Sequence, residues 1–387
     1  MKLKCQPADF QVAELTAFTA DGGQYALYQL TKEALGTPEA IELVSRHWRL
    51  TRQRISFGGL KDKHARTQQF VTVYRGPPRH LPLGPVHVEY LGQASRPFTP
   101  DDIRGNRFHI VLRDLSAEDV NGARQALDSV QRDGVPNYFD DQRFGSLGES
   151  GEFIGQPWCV GDYERALWLA LADPHADDSA AQGEQKRILR EHWGDWSHCQ
   201  AALAESPRRS VVSQLAAQPG DFRGALARIG VDLRGLYLAA FQSFLWNRML
   251  AALLRQACAA ADLVDVGLRI GPVPFFRSLT PEQREQLGKI ALSLPSARLH
   301  LEDGPILRLI QDTLTPLGLE LRQLRVKYPR DSFFAKGVRP PLVQPAKISQ
   351  STGEDELYAG RHQLTLDFEL PRGSYATMLV KRLMLAP

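Results

Sequence analysis

The feature that most constrains the fold is an alternation of apolar and polar residues near the C-terminus. Within residues 363–370, Leu364, Leu366, Phe368 and Leu370 occupy every second position, and polar residues lie between them. This period of two predicts an antiparallel β-strand with one buried and one solvated face. Because a single strand is not stable in water, this segment must pair with strands from elsewhere in the chain.

The strands available for pairing lie far upstream. Alternating or β-branched segments occur at residues 70–74, 86–91 and 107–112, whereas helical periodicity dominates the stretch between residues 150 and 330. We therefore predict an α+β fold with a discontinuous first domain, residues 1–150 and 340–387. This domain would contain a mixed, largely antiparallel sheet with flanking helices. A helix-rich α/β domain, residues 151–339, would be inserted into it.

The composition narrows the class of protein. The 387 residues include 47 Lys and Arg against 44 Asp and Glu, and 43% are hydrophobic. These values are typical of a globular protein and exclude a disordered tail or a collagen. The four cysteines form no C-x-x-C pair, which excludes a zinc ribbon, and scattered thiols suit a reducing cytosol. No segment resembles a signal peptide or a membrane span, so we expect a cytoplasmic protein without a membrane partner.

Positive charge is concentrated in two parts of the chain. Asp62 is the one acidic residue between Glu42 and Glu89, a window that holds nine Lys and Arg residues. These cations would favour the charged form of a lone carboxylate and would attract a polyanion. A second basic run covers residues 322–347. Charge alone leaves a second interpretation open, in which Asp62 is a turn residue or salt-bridge partner and the basic residues form a solvated face.

The residues around Asp62 form the more informative of two motifs. Residues 58–69 read GGLKDKHARTQQ, and an apolar strand follows them. Two glycines before the charged residues allow a tight turn or a close approach of the backbone to a ligand. The spacing is not that of a phosphate-binding loop. A single aspartate between lysines does not suit a cation either, so we expect no metal.

The second motif, residues 134–145, reads GVPNYFDDQRFG. Its aromatic residues alternate with an amide, a glutamine and an arginine between turn residues, a mixture that can stack on a base and hydrogen-bond its edge. An alternative interpretation is a loop anchored in the core, with Phe139 and Phe144 as ordinary packing residues. This stretch by itself favours the packing interpretation.

Taken together, the two motifs resemble those of the TruD family of tRNA pseudouridine synthases. GLKDKHARTQQ is similar to the family pattern G-x-K-D-x-x-A-x-T-x-Q, and PNYFDDQRFG is similar to N-Y-F-G-x-Q-R-F-G. PADFQVAEL, LRGLYLAAFQSFLWNRML and LPRGSYATMLVKRL resemble three further family segments, in the family's order between residues 7 and 384. Asp140 departs from the pattern, where the family usually has glycine, and residues 155–230 do not match closely.

The resemblance implies a function and a set of site residues. A uridine of tRNA, with position 13 suggested, would be isomerised to pseudouridine by a pseudouridine synthase-like catalytic domain. Asp62 falls on the family's catalytic aspartate, and Lys4 matches the basic residue that pairs with it. The reaction is a redox-neutral isomerisation, so no cofactor is implied. We expect a monomer with no obligatory protein partner. The residues expected to bind substrate are Phe10, Asn137, Phe139, Tyr375, Lys61, Arg66, Gln69 and Arg143.

Two other functions compete with this interpretation. A non-catalytic RNA-binding protein could use the basic loop and the aromatic residues only to hold RNA, and a hydrolase could use Asp62 as a base. A protein that only binds RNA gains nothing from a carboxylate that repels phosphate in the middle of its basic loop. A metal-dependent hydrolase usually needs several carboxylates, and the window around Asp62 has one. The motifs therefore favour the synthase over both alternatives.

Overall fold

The structure, a computed structural model, describes residues 1–385, which form two compact units. Unit 1 contains Met1–Val135 and the chain from Leu342 onward, and unit 2 contains Pro136–Pro341. The division of the chain into a catalytic and an inserted domain remains a prediction, because compactness does not test function. Within the described residues, no helix is long and apolar enough to cross a membrane.

Strands dominate unit 1 and helices dominate unit 2. The strands are β1 (Lys2–Leu3), β2 (Phe10–Thr16), β3 (Tyr25–Glu33), β4 (Ile55–Phe57), β5 (Arg66–Tyr74), β6 (Leu81–Leu83), β7 (Val86–Ala94), β8 (Ile103–Leu115), β9 (Val135–Pro136), β10 (Leu263–Leu268), β11 (Gly271–Phe276), β12 (Leu292–Ser293), β13 (Val338–Arg339), β14 (Leu342–Val343), β15 (Ala346–Glu354) and β16 (His362–Pro371). The helices are α1 (Thr37–Trp48), α2 (Ala117–Asp133), α3 (Gly155–Val160), α4 (Tyr163–Leu171), α5 (Ala180–Glu191), α6 (Trp196–Ala202), α7 (Pro207–Ala217), α8 (Phe222–Ala227), α9 (Val231–Ala257), α10 (Pro281–Lys289), α11 (Pro305–Leu314) and α12 (Ala376–Leu383).

The sheet of unit 1 has ten strands and is mixed but largely antiparallel. Its order is β15–β16–β8–β2–β5–β3–β7–β6, with β1 paired to β8 and β4 paired to β5. The pairing of β2 with β5 is parallel, and β16 is antiparallel to both β15 and β8. The predicted α+β class with a largely antiparallel sheet is therefore confirmed.

The C-terminal alternation forms the strand that the sequence predicts. The four apolar side chains of β16 are almost fully buried, with exposed fractions of 0–2%. Phe368 stacks on Phe108 of β8, with ring centroids 5.3 Å apart. Helix α2 packs against β8, β15 and β16 and so covers this face of the sheet, and α12 packs against α2. Pairing on both edges explains why a strand near the C-terminus lies inside the sheet.

Helix α1 builds a second cluster of buried residues with β3 and β5. Ile41, Val44 and Trp48 lie on its buried side, and the Trp48 ring lies 5.1 Å from the ring of Tyr28. The apolar residues recur at intervals of three and four, which gives the helix one apolar face. The helix ends at Arg49, which adopts a left-handed backbone conformation. This packing brings the N-terminal end of α1 to the loop that carries Asp62.

The longest helix, α9, lies in unit 2 and is largely buried. The sequence predicts a long helix over residues 236–261, and the observed helix begins and ends slightly earlier. Phe241, Leu245, Trp246 and Met249 have no measurable exposure. Helix α9 contacts α3, α11 and β11. It is therefore the central packing element of unit 2.

Candidate active site

Asp62 lies on the loop of residues 58–65 between β4 and β5, which we call the Asp62 loop. Its carboxylate oxygen Oδ2 lies 2.7 Å from the ammonium nitrogen of Lys4. The side chains of Asp62 and Lys4 are 27% and 19% exposed, respectively. The structure therefore brings together the two residues expected to carry the chemistry and leaves the carboxylate accessible to a ligand.

Lys4 is held in a restricted position. Its backbone φ is +60°, in the left-handed region that residues other than glycine seldom occupy. Its ammonium also lies 4.2 Å from the ring centroid of Phe10, which is 3% exposed and contacts Phe108 edge-on. Phe10 was expected to surround the target base, and here it supports the ammonium that faces Asp62. Such strain at a charged residue is typical of a functional position.

The backbone of the Asp62 loop is tied down by Lys32, which the sequence analysis missed. The Lys32 side chain is fully buried, and its Nζ donates to the carbonyl of Leu35 at 2.6 Å and to the carbonyl of Asp62 at 2.7 Å. Lys32 falls in phase with the buried Tyr28 and Leu30 of β3. A lysine in the apolar phase of an alternating strand is the sequence signal that could have identified it, because a buried ammonium needs partners.

The side chains of Thr37 and Gln69 hold the backbone of the Asp62 loop by hydrogen bonds. The Thr37 hydroxyl accepts from the backbone amide of Lys61 at 3.0 Å and donates to the Gln69 Oε1 at 2.9 Å. The Gln69 amide in turn donates to the carbonyl of Gly59 at 3.3 Å. Gln69 has no exposed surface, and in the structure its side chain positions the loop. Thr37 is the first residue of α1, and its hydroxyl is engaged in these two hydrogen bonds.

Lys61 links the Asp62 loop to two strands of the sheet. Its ammonium forms an ion pair of 2.9 Å with Glu14 and a hydrogen bond of 3.0 Å with Asn106. The Glu14 side chain is fully buried, and its second oxygen accepts from the amide of Phe70 at 2.7 Å. Burial raises the pKa of Glu14, and the nearby Lys61 opposes that rise. Lys61 therefore joins the loop to β2, which carries Glu14, and to β8, which carries Asn106.

One of the two glycines of the Asp62 loop, Gly58, serves packing. Neither has a positive φ. A Cβ placed on Gly58 would lie 2.4 Å from a side-chain carbon of Ile103, whereas Gly59 faces open space. Gly58 is therefore required because the loop packs closely on β8, not because a turn needs unusual backbone angles.

Two further residues of unit 1 that are expected to bind substrate remain accessible. Arg66 is exposed at the start of β5, and it lines a polar cavity of about 300 Å³ together with Arg107 and His109. Tyr375 is half-buried at the residue that precedes α12. Among residues 1–385, no group of three or more His, Cys, Asp or Glu side chains is arranged to hold a metal ion.

In unit 2, Asn137 organises its own chain segment. Its side-chain amide donates to the carbonyl of Pro340 at 3.0 Å, and its oxygen accepts from Arg339 at 2.5 Å. Its backbone amide donates to the carbonyl of Pro341 at 2.8 Å. Asn137 is 3% exposed. In the structure the amide of Asn137 is therefore engaged by its own chain segment, whereas the family resemblance implies a hydrogen bond from this amide to the target base.

Phe139 is packed inside unit 2. Its ring meets Trp246 edge-on, with centroids 5.6 Å apart, and the Arg339 guanidinium lies 4.2 Å from its ring centroid. The buried side chain of Asn247 bonds both the backbone amide and the carbonyl of Phe139. Phe139 is 8% exposed, so the geometry agrees with the packing interpretation. Arg143 is half-buried, with its guanidinium 5.6 Å from the Phe139 ring.

The departure from the family pattern at Asp140 does not strain the backbone. Asp140 has φ −85° and ψ 169°, which is ordinary extended backbone that any residue adopts. Its carbonyl accepts from the amide of Arg143 at 2.8 Å and begins the short turn Asp141–Phe144. A glycine is therefore not needed here for conformational reasons.

The contact between Lys4 and Asp62 leads to a first prediction. Lys4→Met removes the ammonium that faces the carboxylate. For the uridine isomerisation that the family resemblance implies, we expect the single-turnover rate to fall by about 10²-fold, the usual effect of removing one catalytic hydrogen-bond donor. Lys4→Arg should retain more activity because it keeps the charge. Lys2→Met is the control, because Lys2 is half-exposed and pairs with Asp114 at 3.8 Å. Equal rates for Lys4→Met and the control would contradict the pairing role.

The buried ammonium of Lys32 leads to a second prediction. Burial lowers its pKa from 10.5 to about 8. Between these pH values the unfolded chain binds more protons at this site than the folded chain, so the lysine's contribution to the free energy of unfolding increases with pH. We therefore expect urea unfolding between pH 7.5 and 10 to show that the free energy of unfolding of the wild type increases with pH relative to that of Lys32→Met. Lys63→Met, an exposed change in the same loop, is the control, and a constant difference for Lys32→Met would contradict the prediction.

Comparisons with known proteins agree with the resemblance seen in the sequence. The family model described as tRNA pseudouridine synthase D (TruD) matches residues 1–383. A Methanocaldococcus jannaschii protein named probable tRNA pseudouridine synthase D 2 is 30% identical, over 100% of this chain and 92% of its own length. The tRNA pseudouridine synthase D of Leptospira interrogans is 25% identical, over 99% of this chain and 96% of its own.

A solved structure supports the fold. The crystal structure of a TruD protein from Methanosarcina mazei matches with a TM-score of 0.73 and 24% identity, over 99% of this chain and 93% of that one. At this identity the likeness shows the fold alone, whereas the family model covers nearly the whole chain. The chain therefore belongs to the TruD family of tRNA pseudouridine synthases.

Proposed function

We propose that this protein isomerises a uridine of tRNA to pseudouridine, with Asp62 as the catalytic carboxylate. The observation that carries the proposal is the pairing of Asp62 with Lys4 at 2.7 Å. The backbone carbonyl of Asp62 is at the same time held by the ammonium of Lys32. The ammonium fixes the direction of the carboxylate, and the loop keeps that carboxylate at the surface. A preorganised, accessible anion of this kind can attack carbon or accept a proton.

The reaction breaks the bond between ribose C1′ and uracil N1 and forms a bond between C1′ and C5. Asp62 can act in two ways: its carboxylate adds to C1′ as N1 leaves, or it takes the C2′ proton as N1 leaves. In the first route C5 displaces the carboxylate from C1′, and in the second C5 bonds to C1′ while Asp62 returns its proton to C2′. In both routes the uracil turns over while bound, the C5 proton is released to solvent and N1 takes up a proton, so that the product is an isomer of the substrate. No net oxidation or reduction occurs, so the chemistry requires no redox cofactor.

The proposal also covers the target nucleotide, the oligomeric state and the domain organisation of the enzyme. Uridine 13 of tRNA is the target suggested by the family resemblance. We propose a monomer that acts in the cytoplasm without an obligatory protein partner. We also propose that unit 1, which carries Asp62 and Lys4, is the discontinuous catalytic domain, and that unit 2 is the inserted domain. Lys4 would pair with Asp62 and keep it charged, and Phe10, Arg66 and Tyr375 would bind the target nucleotide from unit 1.

Tritium release tests this function directly. A tRNA transcript labelled with tritium at uridine C5 is incubated with the purified protein and a chelator, without added cofactor. Because C5 loses its proton during isomerisation, we expect release to approach one equivalent per tRNA. The control transcript carries cytidine at position 13 and should release none. Binding of tRNA without release from any transcript would instead support the non-catalytic RNA-binding alternative.

A further inference from the structure

A basic pocket lies within unit 2, and none of the site residues named above lines it. It has a volume of about 220 Å³, and its lining includes four cationic side chains and no acidic one. The cations are Arg298, Arg325, Lys327 and Arg330, all of them exposed. Three of them belong to the basic run at residues 322–347, which the proposed function leaves unexplained.

The positive charge of this pocket is not balanced by neighbouring carboxylates. Asp331 is the one acidic residue of the basic run, and both of its oxygens are engaged by the buried Arg234, at 2.8 and 3.0 Å. Within residues 1–385, none of the four pocket cations forms an ion pair with a carboxylate. A concave site with four uncompensated cations attracts an anionic ligand.

The pocket also presents an aromatic ring to solvent. Phe333 is 58% exposed, while the neighbouring Phe334 is 3% exposed. Arg234 donates to the Ser332 hydroxyl at 2.6 Å as well as to Asp331, so the segment that carries Phe333 is held at the residues just before it. The Arg298 guanidinium lies 5.7 Å from the Phe333 ring centroid. A large aromatic side chain left in solvent beside cations is typical of nucleic-acid contacts.

A buried polar side chain also lines the pocket. Ser296 lines the same pocket and is 1% exposed, and its hydroxyl oxygen has no hydrogen-bond partner among the described residues. Buried hydroxyls are normally satisfied, because an unpaired one loses its hydrogen bond to water without replacement. A ligand oxygen or nitrogen in the pocket would supply the partner.

We propose that this pocket binds one unpaired nucleotide of the RNA substrate, with its base stacked on Phe333 and its phosphates beside the four cations. The nucleotide must be unpaired because a base within a duplex has no free face for an aromatic side chain. An acidic peptide could form ion pairs with the cations, but it has no base to stack on the ring of Phe333. The proposal rests on RNA being the substrate, as the proposed function has it, and it concerns a contact within unit 2 alone.

Binding of a fluorescent single-stranded RNA oligonucleotide to the full-length protein tests the stacking contact. Phe333→Ala should weaken binding by roughly tenfold, the usual effect of one lost base stack, with little change in salt dependence. Phe333→Tyr keeps a ring and should bind like wild type, whereas Phe333→Leu should resemble Phe333→Ala. Val338→Ala is the control for loss of an exposed apolar side chain. Unchanged binding in Phe333→Ala, or equal affinity for a duplex, would overturn the proposal.

The phosphate contacts are tested by salt dependence. Replacing Arg325 and Arg330 with glutamine should flatten the plot of log K against log salt by about 1.4 if each meets one phosphate, since a single-strand contact contributes about 0.7. The matched control replaces Arg190 and Arg308, two exposed arginines of unit 2 that do not line the pocket. An equal flattening in the control would overturn the assignment. So would binding of a polyglutamate peptide that depends on Arg325 and Arg330 while RNA binding does not.

These measurements separate the pocket from the proposed function. If wild type releases tritium from tRNA and Phe333→Ala binds and reacts like wild type, the pocket assignment fails and the synthase stands. If wild type binds the oligonucleotide through Phe333 but releases no tritium, the synthase fails and the pocket stands. If both hold, Phe333→Ala should raise KM for tRNA by roughly tenfold and leave kcat unchanged.

Discussion

Asp62→Asn is expected to abolish isomerisation while tRNA binding persists. Asparagine has almost the same shape as aspartate, but it can neither attack C1′ nor accept the C2′ proton. We expect the single-turnover rate to fall by at least about 10²–10⁴-fold, the usual contribution of a positioned catalytic group. Affinity for tRNA should stay equal or increase slightly, because a negative charge has been removed beside the phosphates.

The control for this change is Glu39→Gln. Glu39 lies in α1 and meets Lys63, the neighbour of Asp62, at 4.0 Å, so its removal takes a carboxylate from the same surroundings. We expect this variant to react at nearly the wild-type rate. Thermal unfolding of both variants should resemble that of wild type, since Asp62 and Glu39 are partly exposed. Turnover by Asp62→Asn within tenfold of wild type would remove Asp62 from the mechanism.

A chain that ends after Gly360 is expected to lose both solubility and activity, although the whole Asp62 loop remains. The truncation removes β16, which pairs with β15 on one edge and with β8 on the other, and it removes α12. Four almost fully buried apolar side chains leave with β16. Each contributes about 1.5–3 kcal/mol when buried. Their sum, roughly 6–12 kcal/mol, is comparable to the whole stability of a typical domain, about 5–15 kcal/mol.

The measurement is the soluble fraction after expression, followed by circular dichroism and tritium release from labelled tRNA. A chain that ends after Leu383 is the control, since it retains both β16 and α12. We expect that control to fold and to react. A soluble and fully active fragment of residues 1–360 would show that β16 and α12 are accessory elements and that the predicted discontinuous domain is wrong.

Several properties of this protein follow from the sequence without the structure. The alternation at residues 363–370 required a sheet with distant partners, and β16 pairs with β8 accordingly. Local patterns of this kind are readable because a strand with one buried face must place apolar residues at every second position. The motif GLKDKHARTQQ, together with its companion segments, led to the TruD family, which the comparisons confirm. The pairing of Lys4 with Asp62 came from that resemblance, since 58 positions separate the two residues.

The tertiary structure alone decided what the polar residues of the motifs do. Lys61 and Gln69 belong to the same motif as Asp62, yet one forms a buried ion pair with Glu14 and the other bonds Thr37 beneath the loop. Asn137 and Phe139 likewise look like ligand-binding residues in the sequence and are engaged by their own unit.

The physical reason is that a polar side chain has the same hydrogen-bonding capacity whether it meets a substrate or another part of the chain. Which partner it finds depends on the face of the strand or loop that carries it and on what packs against that face. Lys32 is an example of a positioning residue that the sequence does not explain. It lies in the apolar phase of β3, and only the fold shows that its ammonium bonds the carbonyls of Leu35 and Asp62. Periodicity is local and is visible in a sequence, whereas the pairing of buried polar groups depends on residues that only the fold brings together.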